Sequence, residues 1–322
     1  MDNLALKVRD LNIRFKTDDG VFNAVNKISF DLKKGQTLGI VGESGSGKSQ
    51  TALSLMGLLA NNAIVDGEAT FSGINLLTQP IKKLNQIRGN KITMIFQDPM
   101  TSLNPYLTIH KQLLEPLMIH KGMSKHDATK RILQILDAVK IPDVQNRINL
   151  YPHEFSGGMR QRVVIAMALL CNPEILVADE PTTALDVTVQ AQILTLLSEL
   201  QKDFGMSMLF ITHDLGVVAE ICHDVMVMYG GRIMESGAVN KMFAHPEHPY
   251  TMGLLGAMPN MFQDVEALKT IPGEAPTIQN MPKGCPFYTR CDKATIVCES
   301  KIPTLEEIFK HKVACHNIVR AS

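Results

Sequence analysis

An α/β fold, with short apolar strands running straight into loops and helices, is what this 322-residue sequence predicts, and three segments carry the prediction. In the first, the apolar run Thr37-Leu38-Gly39-Ile40-Val41 leads into Gly42-Glu43-Ser44-Gly45-Ser46-Gly47-Lys48-Ser49, and residues 51–59 then read as an apolar helix. In the second, the apolar strand Ile175-Leu176-Val177-Ala178 ends in two carboxylates, Asp179 and Glu180. In the third, Met208-Leu209-Phe210-Ile211-Thr212 ends in His213-Asp214. Polar residues at the ends of core strands are where ligands bind in open α/β sheets.

The first segment fits G-x-x-x-x-G-K-[ST] in the strand–loop–helix context that the motif needs. Its glycines let backbone N–H groups approach phosphates, and the helix N-terminus favours their negative charge. Lys48 is expected to reach the β- and γ-phosphates, and Ser49 to ligate Mg²⁺. Asp179 is expected to hold the Mg²⁺ shell, and Glu180 to polarise the attacking water as general base. His213 is placed to sense the γ-phosphate. Gln97, at the end of the strand-like run Lys91-Ile92-Thr93-Met94-Ile95-Phe96, can contact Mg²⁺ or the lytic water.

Between these segments stands Phe155-Ser156-Gly157-Gly158-Met159-Arg160-Gln161-Arg162, a second Ser-Gly-Gly turn that opens a helix. Its Ser156, Gly157 and Gly158 suit a phosphate at a helix N-terminus. Two phosphate-binding turns in one chain point to an ATPase that grips the γ-phosphate from two sides and works as a dimer.

Composition narrows the class. Hydrophobic residues make up 45% of the chain, enough for a large core. Lys+Arg and Asp+Glu are both 32, so no basic footprint points to nucleic acid. The start, Met1-Asp2-Asn3-Leu4, lacks a secretory signal pattern. The longest clean apolar run, residues 163–171, is too short to span a bilayer. A cytosolic chain that reaches a membrane only through a partner is expected, with its cysteines as thiols or metal ligands rather than disulfides.

Taken in order, the phosphate loop, Gln97, the turn at 156–161, the acidic strand, Ala184-Leu185-Asp186 and His213 resemble the ATPase subunits of ABC transporters. The segments Asp98-Pro99-Met100-Thr101-Ser102-Leu103-Asn104-Pro105, Tyr151-Pro152-His153-Glu154-Phe155 and His248-Pro249-Tyr250-Thr251 resemble the peptide-import branch, which serves oligopeptides, dipeptides and nickel; within it, Gly47-Lys48-Ser49-Gln50-Thr51 and the run through Leu114 resemble the oligopeptide permease ATPases. The resemblance implies a P-loop NTPase fold with a RecA-like core, an N-terminal β-subdomain and a helical subdomain at about 98–160. It implies a nucleotide-binding domain over 1–250 and a C-terminal extension over 251–322. Phe15 would stack on the adenine, with Phe22 as the competing candidate. ATP would lie between this chain's phosphate loop and the Ser156-Gly157-Gly158 turn of a second, homologous ATPase in a heterodimer. Two membrane permease subunits, and indirectly an extracytoplasmic peptide-binding protein, would complete the assembly on the cytoplasmic face of the cell membrane. Phe155 and Met159 depart from the commonest form of the signature turn.

Residues 124–139 show helical periodicity, with Ala128, Ile132, Ile135 and Leu136 on one side. Asp186 to Lys202 reads as an amphipathic helix ended by Gly205. Cys171 and Cys222 lie among apolar residues as buried thiols. Cys285, Cys291, Cys298 and Cys315 crowd the tail with five, six and sixteen intervening residues. Zinc sites usually show tighter paired knuckles. A [4Fe–4S] cluster tolerates looser spacing, and the tail of the peptide importers resembles segments associated with one. The cluster is the favoured reading, with zinc and unligated thiols as alternatives and His316 as an alternative fourth ligand. Other readings are a dipeptide or nickel importer, a soluble ABC ATPase, and an iron–sulfur regulatory protein with a vestigial ATPase.

Overall fold

A computed structural model describes residues 3–98, 101–183, 185–258, 270–308 and 311–318. Pro99, Met100 and Ala184, singled out above, lie outside the described residues. The chain divides into two compact units, one of Met1–Ala5, Leu32–Gln36 and Thr78–Phe210, the other of Leu6–Asp31, Thr37–Leu77 and Ile211–Ser322.

The unit that carries the phosphate loop holds two groups of strands. Leu4–Thr17, Gly20–Lys33, Ala63–Phe71 and Ile74–Asn75 form a four-stranded sheet. Leu4–Thr17 pairs antiparallel with Ala63–Phe71, from Lys7 opposite Thr70 to Phe15 opposite Ala63, and the register slips between Arg9 and Asn12. Leu6 and Val8 are buried before the slip, Leu11 and Ile13 after it. The bulge therefore shifts the alternation by one residue and keeps both halves of one strand facing the core. Gly67 opposes it, and a Cβ there would stand 2.5 Å from the Asp10 carbonyl oxygen.

The second group is built on Thr37–Val41, buried at all five positions and paired in parallel with Asp224–Tyr229. A run with no polar face belongs in a parallel sheet covered on both sides. Asp224–Tyr229 turns through Gly230 and Gly231, both at positive φ, into antiparallel Arg232–Ala238. This strand then pairs with His311–Val313, which pairs with Glu306–Ile308. The C-terminal tail thus adds strands to the sheet of the phosphate loop. It also shares its core: Cys285, Phe287 and Cys298 pack in one cluster with Val227, Tyr229 and Tyr250.

In the other unit Ile92–Ile95 and Ile175–Asp179 pair in parallel, Ile92 with Ile175 and Ile95 with Ala178. Helices Ile109–Lys121, Lys125–Ala138, Gly157–Leu169 and Val187–Phe204 begin at Thr108, Ser124, Ser156 and Asp186, whose side chains each accept an N–H of the first turn. Lys125–Ala138 buries the predicted stripe, and Val187–Phe204 ends at Gly205 in the left-handed region. The helix expected over 51–59 lies three residues earlier, at Lys48–Met56, because it starts directly after Gly47 and Gly57 turns left-handed at φ 58° and closes it. Among the described residues no helix is long and apolar enough to cross a membrane.

Candidate nucleotide site

The phosphate loop is a cradle that only glycine can line. Gly42 and Gly47 have φ of 153° and 97°; a Cβ on Gly42 would lie 2.2 Å from the Met228 carbonyl oxygen, and one on Gly47 2.6 Å from that of Ala24. The helix that follows starts at Gly47 with no side-chain cap, and a helix N-terminus favours an anion. Buried Lys48 folds back over the loop, its Nζ donating to the carbonyls of Gly42 at 2.7 Å and Glu43 at 2.8 Å and lying 3.4 Å from Ser46 Oγ. The shape and the single ammonium suit the phosphates of a nucleotide.

Glu43 is held twice. Its N–H donates to Tyr250 Oη at 3.0 Å, and its carboxylate accepts from Arg290 Nη1 at 2.7 Å. Arg290 also donates to Tyr229 Oη and to the carbonyls of Pro272 and Ile271. Burial would lower the pKa of this guanidinium, but the bonds to Glu43 and Tyr229 outweigh it and the pKa is raised. Tyr229 meets Tyr250 and Phe287 edge-on, and Tyr250 and Phe287 are tilted to one another, with ring centres 4.7–5.3 Å apart. Little in the residue pattern signals this arrangement. His248-Pro249-Tyr250 stands out as a motif, but nothing in the sequence links it, or Arg290, to Glu43.

In the other unit the acidic strand ends as predicted. Asp179 is buried, and Glu180 follows at φ 48°, in the left-handed region. Glu180 Oε2 accepts from Thr183 Oγ1 at 3.0 Å and from Gln97 Nε2 at 3.2 Å. The structure thus joins Gln97 to Glu180, across 83 residues of chain. Gln161, fully buried on the signature helix, donates to the carbonyl of Pro181, the residue after Glu180; that link had no sequence signal.

Ser156 caps the signature helix, its Oγ accepting from Met159 N at 3.4 Å. Gly158 packs on Val189, and a Cβ there would approach Val189 Cγ1 to 2.8 Å. Met159 Sδ accepts from Arg147 Nη1 at 3.4 Å, so the unusual residue of the signature is itself anchored. His213 is exposed after the strand Ser207–Thr212, and Asp214 caps the next helix through the N–H groups of Gly216 and Val217. Phe15 is half-buried on the four-stranded sheet; Phe22, on the neighbouring strand, lines a cavity of 270 Å³ with Arg232 and Gly284.

The pKa values of Cys285, Cys291 and Cys315 are raised, in part by the neighbouring tail cysteines. Burial is the larger effect and pushes Cys285 up to about 11. The N–H groups of Phe287, Lys293 and Asn317, each two residues on, face the sulfurs of Cys285, Cys291 and Cys315. Among the described residues no group of three or more His, Cys, Asp or Glu is arranged to hold a metal ion. His316 Nε2 instead lies 2.9 Å from the Lys301 carbonyl. Cys171 is buried with its pKa raised, and burial pushes Cys222 up to about 12, so both are poor nucleophiles.

Residues 25–183 match the family model described as ABC transporter, and residues 234–298 match that described as the C-terminal region of oligopeptide/dipeptide transporters. The chain is 57% identical over 301 residues to the oligopeptide transport ATP-binding protein OppD of Salmonella typhimurium, covering 94% of this chain and 90% of the relative. The chain belongs to the ABC transporter ATP-binding subunits. The OppD of Haemophilus influenzae is 59% identical, with 92% of each chain covered. The dimeric post-hydrolysis structure of the ATP-binding cassette MJ0796, bound to ADP and Pi, superposes with a TM-score of 0.64 at 29% identity, covering 73% of this chain and 98% of that one. As an ABC ATPase, the chain hydrolyses ATP.

Proposed function

We propose that this ABC ATPase energises the import of oligopeptides through a membrane permease, from the cytoplasmic face. The observation that carries the reading is that its likeness to OppD proteins runs through 94% of the chain, tail included. Dipeptide import is the second reading, favoured by 56% identity over 287 residues to the dipeptide transport protein DppD of Lactococcus lactis.

Bound ATP supplies the phosphoanhydride whose hydrolysis drives the cycle. The N–H groups of residues 42–49 and Lys48 hold its phosphates, and Phe15 stacks on its base. Ser49, Gln97 and Asp179 hold Mg²⁺. Glu180 takes the proton of the attacking water, and Gln97 and Thr183 keep its carboxylate oriented until then. His213 contacts the γ-phosphate and reports its loss. Ser156, Gly157 and Gly158 face the nucleotide of a homologous partner ATPase, and the segment after Gln97 meets a membrane subunit. The nucleotide-binding domain spans 1–250, with the helical subdomain at about 98–160, and the extension 251–322.

In vesicles holding the permease, Glu180→Gln should bind ATP yet lose turnover by about 100-fold or more. Wild-type turnover by that variant would remove Glu180 from the mechanism. Stimulation by dipeptides but not by longer peptides would replace the oligopeptide reading.

The tail's cysteines hold a [4Fe–4S] cluster in this proposal. Support comes from the four cysteines of the tail sequence and from the N–H groups facing three of the sulfurs, as such clusters use; the described side chains would have to rearrange to bind it. Thiols held protonated by burial must release protons when metal binds. Iron and sulfide in anaerobically purified protein are expected; zinc without iron would overturn the cluster.

A further inference from the structure

The phosphate loop carries a carboxylate of its own, in a loop built to hold a polyanion. Left uncompensated, Glu43 would repel the incoming phosphates. In the structure it is compensated by a residue far along the chain: Arg290 Nη1 lies 2.7 Å from Glu43 Oε2, and the arginine side chain is only 7% exposed. The same guanidinium stands 5.8 Å from the centre of the Tyr229 ring and ties down the carbonyls of Ile271 and Pro272. Tyr250 meanwhile holds the Glu43 N–H. A tail that needed only an anchor could use the apolar cluster around Phe287; it has no need to reach the loop's second residue.

We propose that Arg290 is a positioning residue for ATP binding, which acts through Glu43 by neutralising its charge and fixing it away from the phosphates. The C-terminal extension thereby completes the phosphate loop of its own chain. The proposal rests on the reading of residues 42–49 as the phosphate site.

The test is equilibrium binding of a non-hydrolysable ATP analogue to the full-length chain. Arg290→Gln keeps a donor for the tail carbonyls but loses the charge, and should weaken binding about tenfold. Arg290→Lys keeps the charge but not the planar fork and should lose clearly less binding than Arg290→Gln. On a Glu43→Gln background, Arg290→Gln should cost less than about twofold, because the charge it balanced is gone. Unchanged binding by Arg290→Gln, equal losses for the lysine and glutamine variants, or the same penalty on both backgrounds would overturn the proposal. Lys48→Ala separates the underlying reading: if it binds the analogue as wild type does, the phosphate loop itself is misassigned.

Discussion

Glu180 stands in the left-handed region of backbone space, which costs a non-glycine residue roughly 1–3 kcal/mol. The strain is held by Thr183 and Gln97 on its carboxylate and by Gln161 on the next carbonyl. A strained, over-determined carboxylate suits a base that must keep one orientation. Gly158 shows the same economy of space on the signature turn. Gly158→Ala would push a methyl into Val189, so the turn or the helix behind it must shift. ATPase activity of the assembled transporter should fall about tenfold or more, while nucleotide binding to the variant's own phosphate loop stays intact. Normal activity would show that the signature tolerates a Cβ, and that Gly158 owes nothing to close packing.

At the scale of single elements, capping decides where helices start. Ser124 Oγ accepts the Asp127 N–H at 3.2 Å and donates to the Asp127 carboxylate at 2.7 Å, which places an acid in the first turn. Ser124→Ala should lower stability by about 1 kcal/mol in denaturant unfolding without changing ATP hydrolysis. A loss of activity at unchanged stability would mean that this helix does more than pack. The helix after His213 is fixed in the same way by Asp214, whose carboxylate accepts from two N–H groups. That cap directly follows His213 in the chain.

Across the molecule, the tail and the nucleotide core are joined by buried polar groups. Glu235 is fully buried; it accepts the N–H groups of Glu247 and His248 and pairs with His311 at 3.0 Å. His248 is 1% exposed, its Nδ1 accepts the Tyr250 N–H, and burial lowers its pKa to about 4. Between that value and the ordinary pKa of about 6.5 the unfolded chain binds a proton that the folded one refuses. Stability from this group is therefore undiminished above pH 6.5 and falls as pH drops toward 4, by about 3 kcal/mol in all. Glu235 acts with the opposite sign: burial raises its pKa, so its folded form favours the proton and loses ground as pH rises through that raised value. His248→Asn keeps an acceptor for Tyr250 and should flatten the acid limb of the stability–pH curve relative to wild type. An identical acid limb in both proteins would exclude His248 as its source.

The sequence by itself determined the α/β class, the phosphate loop, the acidic strand end, the signature turn and the approximate limits of two helices, Lys125–Ala138 and Val187–Phe204. Each is a local pattern: strand runs without a polar face, glycines where φ must be positive, caps one residue before a helix. It also determined that four thiols gather in the tail. Only the tertiary structure decided that the tail builds onto the sheet and core of the phosphate loop, and that Arg290 meets Glu43 across 247 residues of chain. It likewise decided that Gln97 meets Glu180, and that a bulge at Arg9–Asn12 keeps one long strand facing inward. Such pairings depend on chain path and register. These follow from packing the whole core at once, and no local pattern of residues encodes them.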